Sequence, residues 1–512
     1  MRTKPIVRDW SIYLGTGGTA EGMFPAKFSF DINGTPSCTN DFVVFPVNAT
    51  PSATQPNIVA FNQLYSGGTN GFCNRTASGS DTGVDAEVYW SYQVSSIGGA
   101  VTTSPVISSD GLGAKIAFVE SLSGKPAHFH VLAWKANDGQ KPSNLQDVTS
   151  PVAPTLVTTS PAAGSGTFTD LAFGTATDTL SSPFIDYLND VAYVGNDAGV
   201  LFRIKNVFCK YPSCMGAQPT LDASFNLTGS FTVCPKALTG PILNIVNSKV
   251  YVGCADGKLY AVTTSGTISA TSITIGDGST YGGVVDPPIV DSVNGFVYAV
   301  SGSASGNKAT LVQAKADFSS NVVVAIGKGA QCNLHSPTPN NAYFNSITSS
   351  GAMMYVGGVN AGTVPQPCTA SSNSAATVAL YGLTFSTTNG IIKTATTTLS
   401  LGHGPGYEFA PMTEFFNATT GNDWLFYSAI QSAQTNFASS DITSGFPNAF
   451  TAVNEGIGTS GIIVDNNASA TGFPQAASVY FNALHQNSGC NNNINTALTG
   501  GCAVKLTQAG LN

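Results

Sequence analysis

The feature of this sequence that most constrains its fold is an internal repeat. Residues 191–204 align without gaps on residues 249–262, at an offset of 58 positions. Both segments contain an apolar run ending in Tyr-Val-Gly, a short turn with Asp and Gly, and a second alternating run, and both follow a short apolar run opened by a proline. Alternation with turn residues between the runs predicts antiparallel β-strands. Units of this kind cannot bury their apolar faces alone, so the repeat predicts an array of small sheets.

Weaker copies of the unit extend the series along the chain. Each copy begins at a proline, and these are residues 25, 105, 183, 241, 288, 337 and 411. Seven units of four strands predict an all-β, seven-bladed β-propeller formed by residues 1–512 as a single domain. Residues 411–512 are long enough for two units, so a ring of eight blades is the alternative.

A propeller has to close its ring, because an open ring leaves two unpaired sheet edges. The dipeptide Trp90-Ser91 lies 15 residues before Pro105, in the position of an outermost strand, and Trp10-Ser11 lies 15 residues before Pro25. We therefore predict that an N-terminal strand over residues 8–14 completes the last blade. The alternative is that this strand pairs with a neighbouring molecule, which would assemble the protein into a filament.

The residues of the repeat also resemble those of a known family. Tyr-Val-Gly, Asp-Gly and Leu-Tyr-Ala, followed by a tryptophan strand and Ser-Pro-Val-Ile, resemble the repeat of PQQ-like β-propellers between about residues 88 and 300. That family includes quinoprotein dehydrogenases and cofactor-free binding scaffolds of bacterial envelopes. A vicinal Cys-Cys pair, expected of the alcohol-oxidising members, is absent, and only four tryptophans serve the whole ring. The resemblance therefore points to the cofactor-free branch.

The cysteines indicate an oxidising compartment. There are ten, and they fall as sequence neighbours, so we predict five local disulfides: Cys38 with Cys73, Cys209 with Cys214, Cys234 with Cys254, Cys332 with Cys368, and Cys490 with Cys502. Disulfides on this scale are typical of secreted, periplasmic or cell-surface proteins.

The composition limits the partners. Only 9% of the residues are charged, the net charge is −8, and the basic residues are scattered singly, so neither a nucleic acid nor an anionic membrane surface is expected as a partner. The chain contains no run of 18 or more apolar residues, so no membrane span is predicted.

One group of ionisable residues falls where propellers usually bind ligands, just before the innermost strands. The group comprises Asp286, His335, His403, Tyr407 and Glu408. Carboxylates and imidazoles at one channel mouth would suit a divalent ion such as calcium, or acid–base chemistry. The alternative is that each residue bonds to the backbone of the next blade. No catalytic residue, resident cofactor or metal is assigned.

His128 and His130 alternate on one predicted strand, so both face the same side of the sheet. Two imidazoles at that spacing suit either a shared metal ion or packing between blades. No carboxylate or cysteine lies beside them in the sequence to favour the metal.

Four functions remain open. The sequence favours an exported, non-enzymatic binding or assembly protein of the cell envelope or extracellular space, because it lacks the common catalytic motifs and has few titratable groups. Its partner would be a protein or a surface polysaccharide. The alternatives are a polysaccharide hydrolase or lyase using Glu408, Asp286 and the nearby histidines, a quinoprotein-like oxidoreductase, and the strand-donating filament subunit.

Overall fold

A computed structural model describes residues 6–20, 22–28, 36–65, 73, 85–109, 114–175, 177–209, 214, 216–306, 308–327, 329–359, 378–395, 397–401, 406–431, 437–453, 455, 458–465, 478–484, 490 and 500–508. The described residues form eight β-sheets, each a blade of a propeller. The all-β prediction is confirmed, and of the two ring sizes considered the structure has eight blades.

Blades 1 to 4 follow one another along the chain. Blade 1 contains β2 (Ala26–Phe28), β3 (Phe42–Pro46), β4 (Ile58–Asn62) and β5 (Glu87–Tyr92). Blade 2 contains β6 (Val106–Ile107), β7 (Ile116–Glu120), β8 (Ala127–Ala133), β9 (Thr155–Leu156) and β10 (Thr167–Phe173). Blade 3 contains β11 (Phe184–Asp186), β12 (Val191–Gly195), β13 (Val200–Lys205), β14 (Thr220–Leu221) and β15 (Ser230–Thr232). Blade 4 contains β16 (Ile242–Asn244), β17 (Lys249–Cys254), β18 (Lys258–Thr263) and β19 (Ile273–Thr274).

Blades 5 to 8 complete the ring. Blade 5 contains β20 (Ile289–Asp291), β21 (Phe296–Ala304), β22 (Lys308–Lys315) and β23 (Asn321–Ile326). Blade 6 contains β24 (Thr338–Pro339), the helix α1 (Asn341–Asn345), β25 (Met353–Val359), β26 (Val378–Thr384) and β27 (Thr397–Ser400). Blade 7 contains β28 (Gly406–Phe409), β29 (Thr413–Asn417), β30 (Asn422–Gln431), β31 (Phe437–Asp441) and β32 (Thr451–Val453). Blade 8 contains β33 (Ile463–Asp465), β34 (Ser478–Ala483), β35 (Cys502–Gln508) and, from the other end of the chain, β1 (Ile6–Tyr13).

The proline count missed one blade because the eighth unit opens without a proline. Its innermost strand β33 follows Gly461-Ile462, where the other units have a proline one or two residues before the strand. A β-carbon at Gly461 would overlap with the ring of Phe24 in blade 1. Gly461 therefore packs closely on blade 1, whereas Ile462 stands directly before β33, in the position where six of the other units have their proline.

The N-terminal strand closes the ring as predicted. β1 pairs antiparallel with β35 of the same chain, with Trp10 opposite Lys505 and a register shift between Arg8 and Trp10. Trp10 is buried among rings of both adjoining blades, Phe45 and Phe61 of blade 1 and Tyr480 of blade 8.

A buried charge fixes this closure. Lys505 is fully buried, and its Nζ donates to Asp9 Oδ2 at 2.7 Å and to the Leu64 carbonyl at 2.8 Å. Trp10 Nε1 donates to the same carbonyl at 3.4 Å. The first strand, the last strand and blade 1 therefore meet at one polar point inside an apolar core.

Four of the five predicted disulfides are present: Cys38–Cys73, Cys209–Cys214, Cys234–Cys254 and Cys490–Cys502. Cys332 is also disulfide-bonded, and its predicted partner, Cys368, lies outside the described residues. No described cysteine is free. The local pairing derived from sequence neighbours is confirmed for these four pairs.

The closure point generates a stability prediction. Replacing Lys505 with Gln leaves the buried Asp9 carboxylate without its cation, so the free energy of unfolding should fall by about 3–5 kcal/mol. The measurement is urea unfolding followed by tryptophan fluorescence. Lys141 is the matched control, because its ion pair with Asp147 is at the surface, and Lys141→Gln should cost no more than about 1 kcal/mol. Equal effects of the two substitutions would contradict the closure role of Lys505.

A second prediction concerns Gly461. Gly461→Ala forces a methyl group against the Phe24 ring, and overpacking of this kind costs about 1–3 kcal/mol. Gly18 is the control, since nothing lies within 4 Å of a β-carbon built there. Thermal unfolding should show a lowered Tm for Gly461→Ala, little change for Gly18→Ala, and partial recovery when Phe24→Ala is added to the first variant.

Candidate functional site

Three of the five predicted channel-mouth residues come together. Asp286 precedes β20, His335 precedes β24, and Glu408 lies on β28, so three neighbouring blades each contribute one side chain. His335 Nδ1 lies 3.0 Å from both carboxylate oxygens of Asp286, and His335 Nε2 lies 3.4 Å from Glu408 Oε1. We call Asp286, His335 and Glu408 the ion triad.

The repeat explains why these residues meet. Each of the three residues lies two or three positions before the proline of its unit, where the chain enters the innermost strand beside the channel. Consecutive units therefore place these positions next to one another around the ring. Ser336 strengthens the contact, because its amide donates to Asp286 Oδ2 at 2.8 Å and its hydroxyl donates to the Pro287 carbonyl at 2.8 Å.

The ion triad is buried, with only 7–9% of each residue exposed. Burial acts to lower the pKa of His335, but the negative charges of Asp286 and Glu408 outweigh it and hold that pKa well above 6.5. His335 is therefore an imidazolium at neutral pH. Its Nδ1–H donates to Asp286, whereas the Nε2–H faces Glu408 at ion-pair distance without a well-directed hydrogen bond.

The other two predicted residues are not placed with the ion triad. His403 lies outside the described residues, and Tyr407 belongs to β28 but its side chain is not among those described. The predicted ligand site of five residues therefore stays a prediction for these two.

The ion triad is arranged as a structural contact that holds neighbouring blades together. An imidazolium already occupies the space between the two carboxylates, so a calcium ion would have to displace it. Among the described residues, no group of three or more His, Cys, Asp or Glu side chains is arranged to hold a metal ion. Calcium at the channel mouth accordingly stays a prediction.

Sequence reasoning missed a second buried charge cluster, which surrounds the two histidines of β8. His130 Nε2 lies 2.9 Å from Glu120 Oε2, and His128 Nδ1 lies 2.6 Å from Asp170 Oδ1. Glu120 is on β7 and Asp170 on β10, the two strands that flank β8. No carboxylate lies beside these histidines in the sequence. The pairing of β8 with β7 and β10 brings two carboxylates to them.

The loop after blade 1 completes this cluster. Glu120 also accepts hydrogen bonds from the amides of Ser96 and Gly99, at 2.8 and 2.7 Å. Burial acts to raise the pKa of Glu120, but these bonds and His130 outweigh it and lower that pKa. The result is a satisfied polar contact between blade 2 and the loop that joins it to blade 1, with His130 and Glu120 fully buried.

Two cavities lie elsewhere. One of about 280 Å³ is lined by Asn340, Asn341, Asp423 and Thr443 among others, where blades 6 and 7 meet. A larger one of about 600 Å³ is lined by Asp256, Lys258, Asp277 and Lys308 among others, between blades 4 and 5. Neither is lined by a residue of the ion triad.

These observations define the class of protein, an eight-bladed β-propeller with buried ion clusters between blades. The chain is similar to Sqt1 of Saccharomyces cerevisiae, with 10% sequence identity, a TM-score of 0.51, and coverage of 98% of this chain and 99% of that one. It is also similar to BamB of Moraxella catarrhalis, with 11% identity, a TM-score of 0.43, and coverage of 98% and 97%. The likeness to Sqt1 supports the propeller fold and nothing beyond it.

No family model matches the chain, and no curated protein matches it. In the part of the chain that the structure describes, no helix is long and apolar enough to cross a membrane.

The ion triad generates a prediction of pH dependence. Because the pKa of His335 is raised on folding, its contribution to stability is fully present below about pH 6.5, the unfolded value, and is lost as the pH rises through the higher folded value. Tm should therefore fall with rising pH above 6.5, and His335→Gln should weaken that dependence. Thermal unfolding between pH 5 and 9 measures both.

His335→Gln alone should also lose about 3–5 kcal/mol of stability, because two buried carboxylates are left without their cation. Adding Asp286→Asn removes one of those charges and should recover part of the loss. A wild type and a His335→Gln variant with the same pH profile would contradict the imidazolium assignment.

Proposed function

We propose that this chain is an exported, non-enzymatic binding or assembly protein of the cell envelope or extracellular space, of the cofactor-free PQQ-like propeller type. Its ring would act as a rigid framework whose loops contact a protein or a surface polysaccharide. The observation that carries the proposal is the ion triad. The ionisable residues best placed for catalysis are instead buried and joined to one another across three blades.

Rigidity is the property that these contacts have in common. The ion triad joins blades 5, 6 and 7, and Lys505 joins blades 8 and 1. The His128 and His130 cluster holds the loop after blade 1 against blade 2. The ion triad and Lys505 use charges to hold one blade against the next. A preorganised surface binds with less loss of conformational entropy, so a stiff ring suits a binding role.

The disulfides support export. Four pairs lie in the described residues, and each closes a local loop. Such bridges persist in oxidising compartments and are rare in the cytosol of most organisms. The secreted, periplasmic or cell-surface location is proposed on this ground.

Burial counts against the enzymatic alternatives at the channel mouth. A glycosidase needs two carboxylates on either side of an accessible sugar bond, whereas Asp286 and Glu408 are both about nine-tenths buried and share one imidazolium. A general acid or base must also come within hydrogen-bond reach of its substrate. The ion triad offers such access only if the blades separate.

The test is binding without turnover. The purified chain is incubated with a panel of surface polysaccharide fragments and with PQQ and calcium, and thermal shift and reducing-end formation are measured. The expected result is a thermal shift with a polysaccharide and no new reducing ends. Glu408→Gln should lower Tm and leave that shift unchanged, because Glu408 acts inside the ring. Reducing ends that form with the wild type and vanish with Glu408→Gln would overturn the proposal, and a shift with PQQ would favour the quinoprotein alternative.

A further inference from the structure

The outer edge of blade 5 is a long β-strand that no other described strand covers. β23 is the last strand of its sheet, and it pairs with β22 along all six residues without a register shift. Its sequence, Asn-Val-Val-Val-Ala-Ile, contains no charged residue and no proline. Proteins usually protect an exposed edge with charges, proline, a bulge or a very short strand, because a free edge recruits further strands. β23 has none of these protections.

The outer edges of the other blades are protected. In blades 2, 3, 4, 6 and 7 the outer strands are only two to four residues long. In blade 1 the loop between β8 and β9 covers β5, since the amides of Val88 and Ser91 donate to the carbonyls of Leu145 and Asp138, both at 2.8 Å. In blade 8, β1 contains a register shift and two charged residues. Among the described outer strands, β23 is therefore the exception.

The hydrogen bonds of the hairpin show which backbone groups of β23 point outward. The Lys315 amide donates to the Ser320 carbonyl at 2.9 Å, and this pair continues the register of β22 with β23. Bonded and non-bonded pairs alternate in an antiparallel ladder, so the amides and carbonyls of Asn321, Val323 and Ala325 point away from β22. No described residue bonds to these groups. Their spacing of roughly 6.6 Å is that of the matching groups on another β-strand.

A cavity of about 600 Å³ lies beside this edge, between blades 4 and 5. Val323 and Ala325 line it from β23, and Thr310 lines it from β22. Val323 is 50% exposed. Successive side chains of a strand point to opposite faces of the sheet, so a segment paired with β23 would direct every second side chain to the cavity side. The edge and the cavity together form one site for an extended chain.

The charges of this cavity that are available to a ligand are positive. Asp256 and Asp277 line the cavity, but Asp256 already accepts the Tyr260 hydroxyl at 2.6 Å, and Asp277 accepts a serine hydroxyl at 2.8 Å. Lys258 and Lys308 line it as well. Within the described ranges, neither lysine ammonium group forms an ion pair or a hydrogen bond. Acidic side chains on an added strand would pair with these two lysines.

The β23 strand of a second copy would fit this site poorly. A two-fold axis would place Asn321, Val323 and Ala325 of one copy beside the same residues of the other. These side chains are short and uncharged, so they would leave the cavity unfilled and the two lysines without counter-ions. The site favours a segment with a different sequence, with long acidic side chains.

We propose that β23 accepts an extended segment of a partner protein as an additional strand of blade 5, with acidic side chains at alternate positions that pair with Lys258 and Lys308. In strand addition, main-chain hydrogen bonds supply affinity, and pockets for alternate side chains supply specificity. This inference rests on the proposed function, because it specifies the chemistry of a protein that the rigid ring binds.

The experiment measures peptide binding to the whole chain by fluorescence anisotropy. The probe is a labelled synthetic peptide of alternating glutamate and threonine, as long as β23. One control peptide has lysine in place of glutamate. The other control is methylated at its amide nitrogens, which removes the main-chain donors and keeps the charges. We expect saturable binding of the glutamate peptide and at least tenfold weaker binding of both controls.

Two variants of the protein separate the backbone contribution from the charges. Val323→Pro removes one outward amide and keeps the ladder to β22, because that amide does not bond to β22. Thr398→Pro is the matched control, since its amide faces outward in the same way on β27 of blade 6. The second variant, Lys258→Gln/Lys308→Gln, removes both cations. We expect a dissociation constant at least tenfold higher for Val323→Pro and for the lysine variant than for the wild type and Thr398→Pro, with circular dichroism showing that all are folded.

A wild type that does not bind the glutamate peptide would overturn the proposal, as would binding that neither amide methylation nor Val323→Pro weakens. Sedimentation equilibrium is run in parallel, and a wild-type dimer that Val323→Pro dissociates would show that a second copy occupies the edge instead. A uronic-acid oligosaccharide that needs the two lysines but binds Val323→Pro as tightly as the wild type would assign the cavity to a polysaccharide.

The failure of this inference is distinct from the failure of the proposed function. A chain that binds none of the peptides but gives the thermal shift with a polysaccharide, without new reducing ends, would overturn strand addition and leave the binding role standing. New reducing ends that depend on Glu408 would overturn the non-enzymatic role, whatever the peptides do.

Discussion

A ring of sheets keeps two unpaired edges until its last sheet is complete, and here completion depends on one strand from the far end of the chain. β1 supplies the outermost strand of blade 8, and its pairing with β35 places Trp10 between blades 8 and 1. Lys505 is buried at this point with Asp9 and the Leu64 carbonyl. All other contacts between blades depend on this closure, because the blades keep their positions only in a closed ring.

The chain has few charges and uses several of them inside. In an apolar interior an ion pair adds little net stability, but it favours one arrangement of the groups around it. Any arrangement that displaces one partner leaves the other charge buried without compensation. The ion triad and the Lys505 contact each mark one correct arrangement of neighbouring blades. Without these charges, four-stranded sheets of similar apolar composition would pack against one another with little preference for one arrangement. This physical role of the buried charges is the basis for regarding the ring as a framework.

The repeat sequence determined the fold class and much of its detail. The prolines before the innermost strands predict the start of the units, the two Trp-Ser dipeptides predict the closing strand, and the neighbouring cysteines predict the disulfides that the structure describes. These features are local, so a linear reading can find them. The count of blades failed as a first choice because Ile462, and not a proline, stands directly before β33, so the marker on which the count relied is missing there.

The sites depend on contacts between strands and between blades, and those only the tertiary structure decided. Asp286, His335 and Glu408 are selected by their positions before the innermost strands, but the sequence cannot say whether they open into a pocket or face one another, since that depends on how closely the blades approach. The carboxylates of the His128 and His130 cluster come from strands β7 and β10, at distances along the chain that no motif records. Local patterning determined which strands form, and the closing of the ring decided which side chains meet.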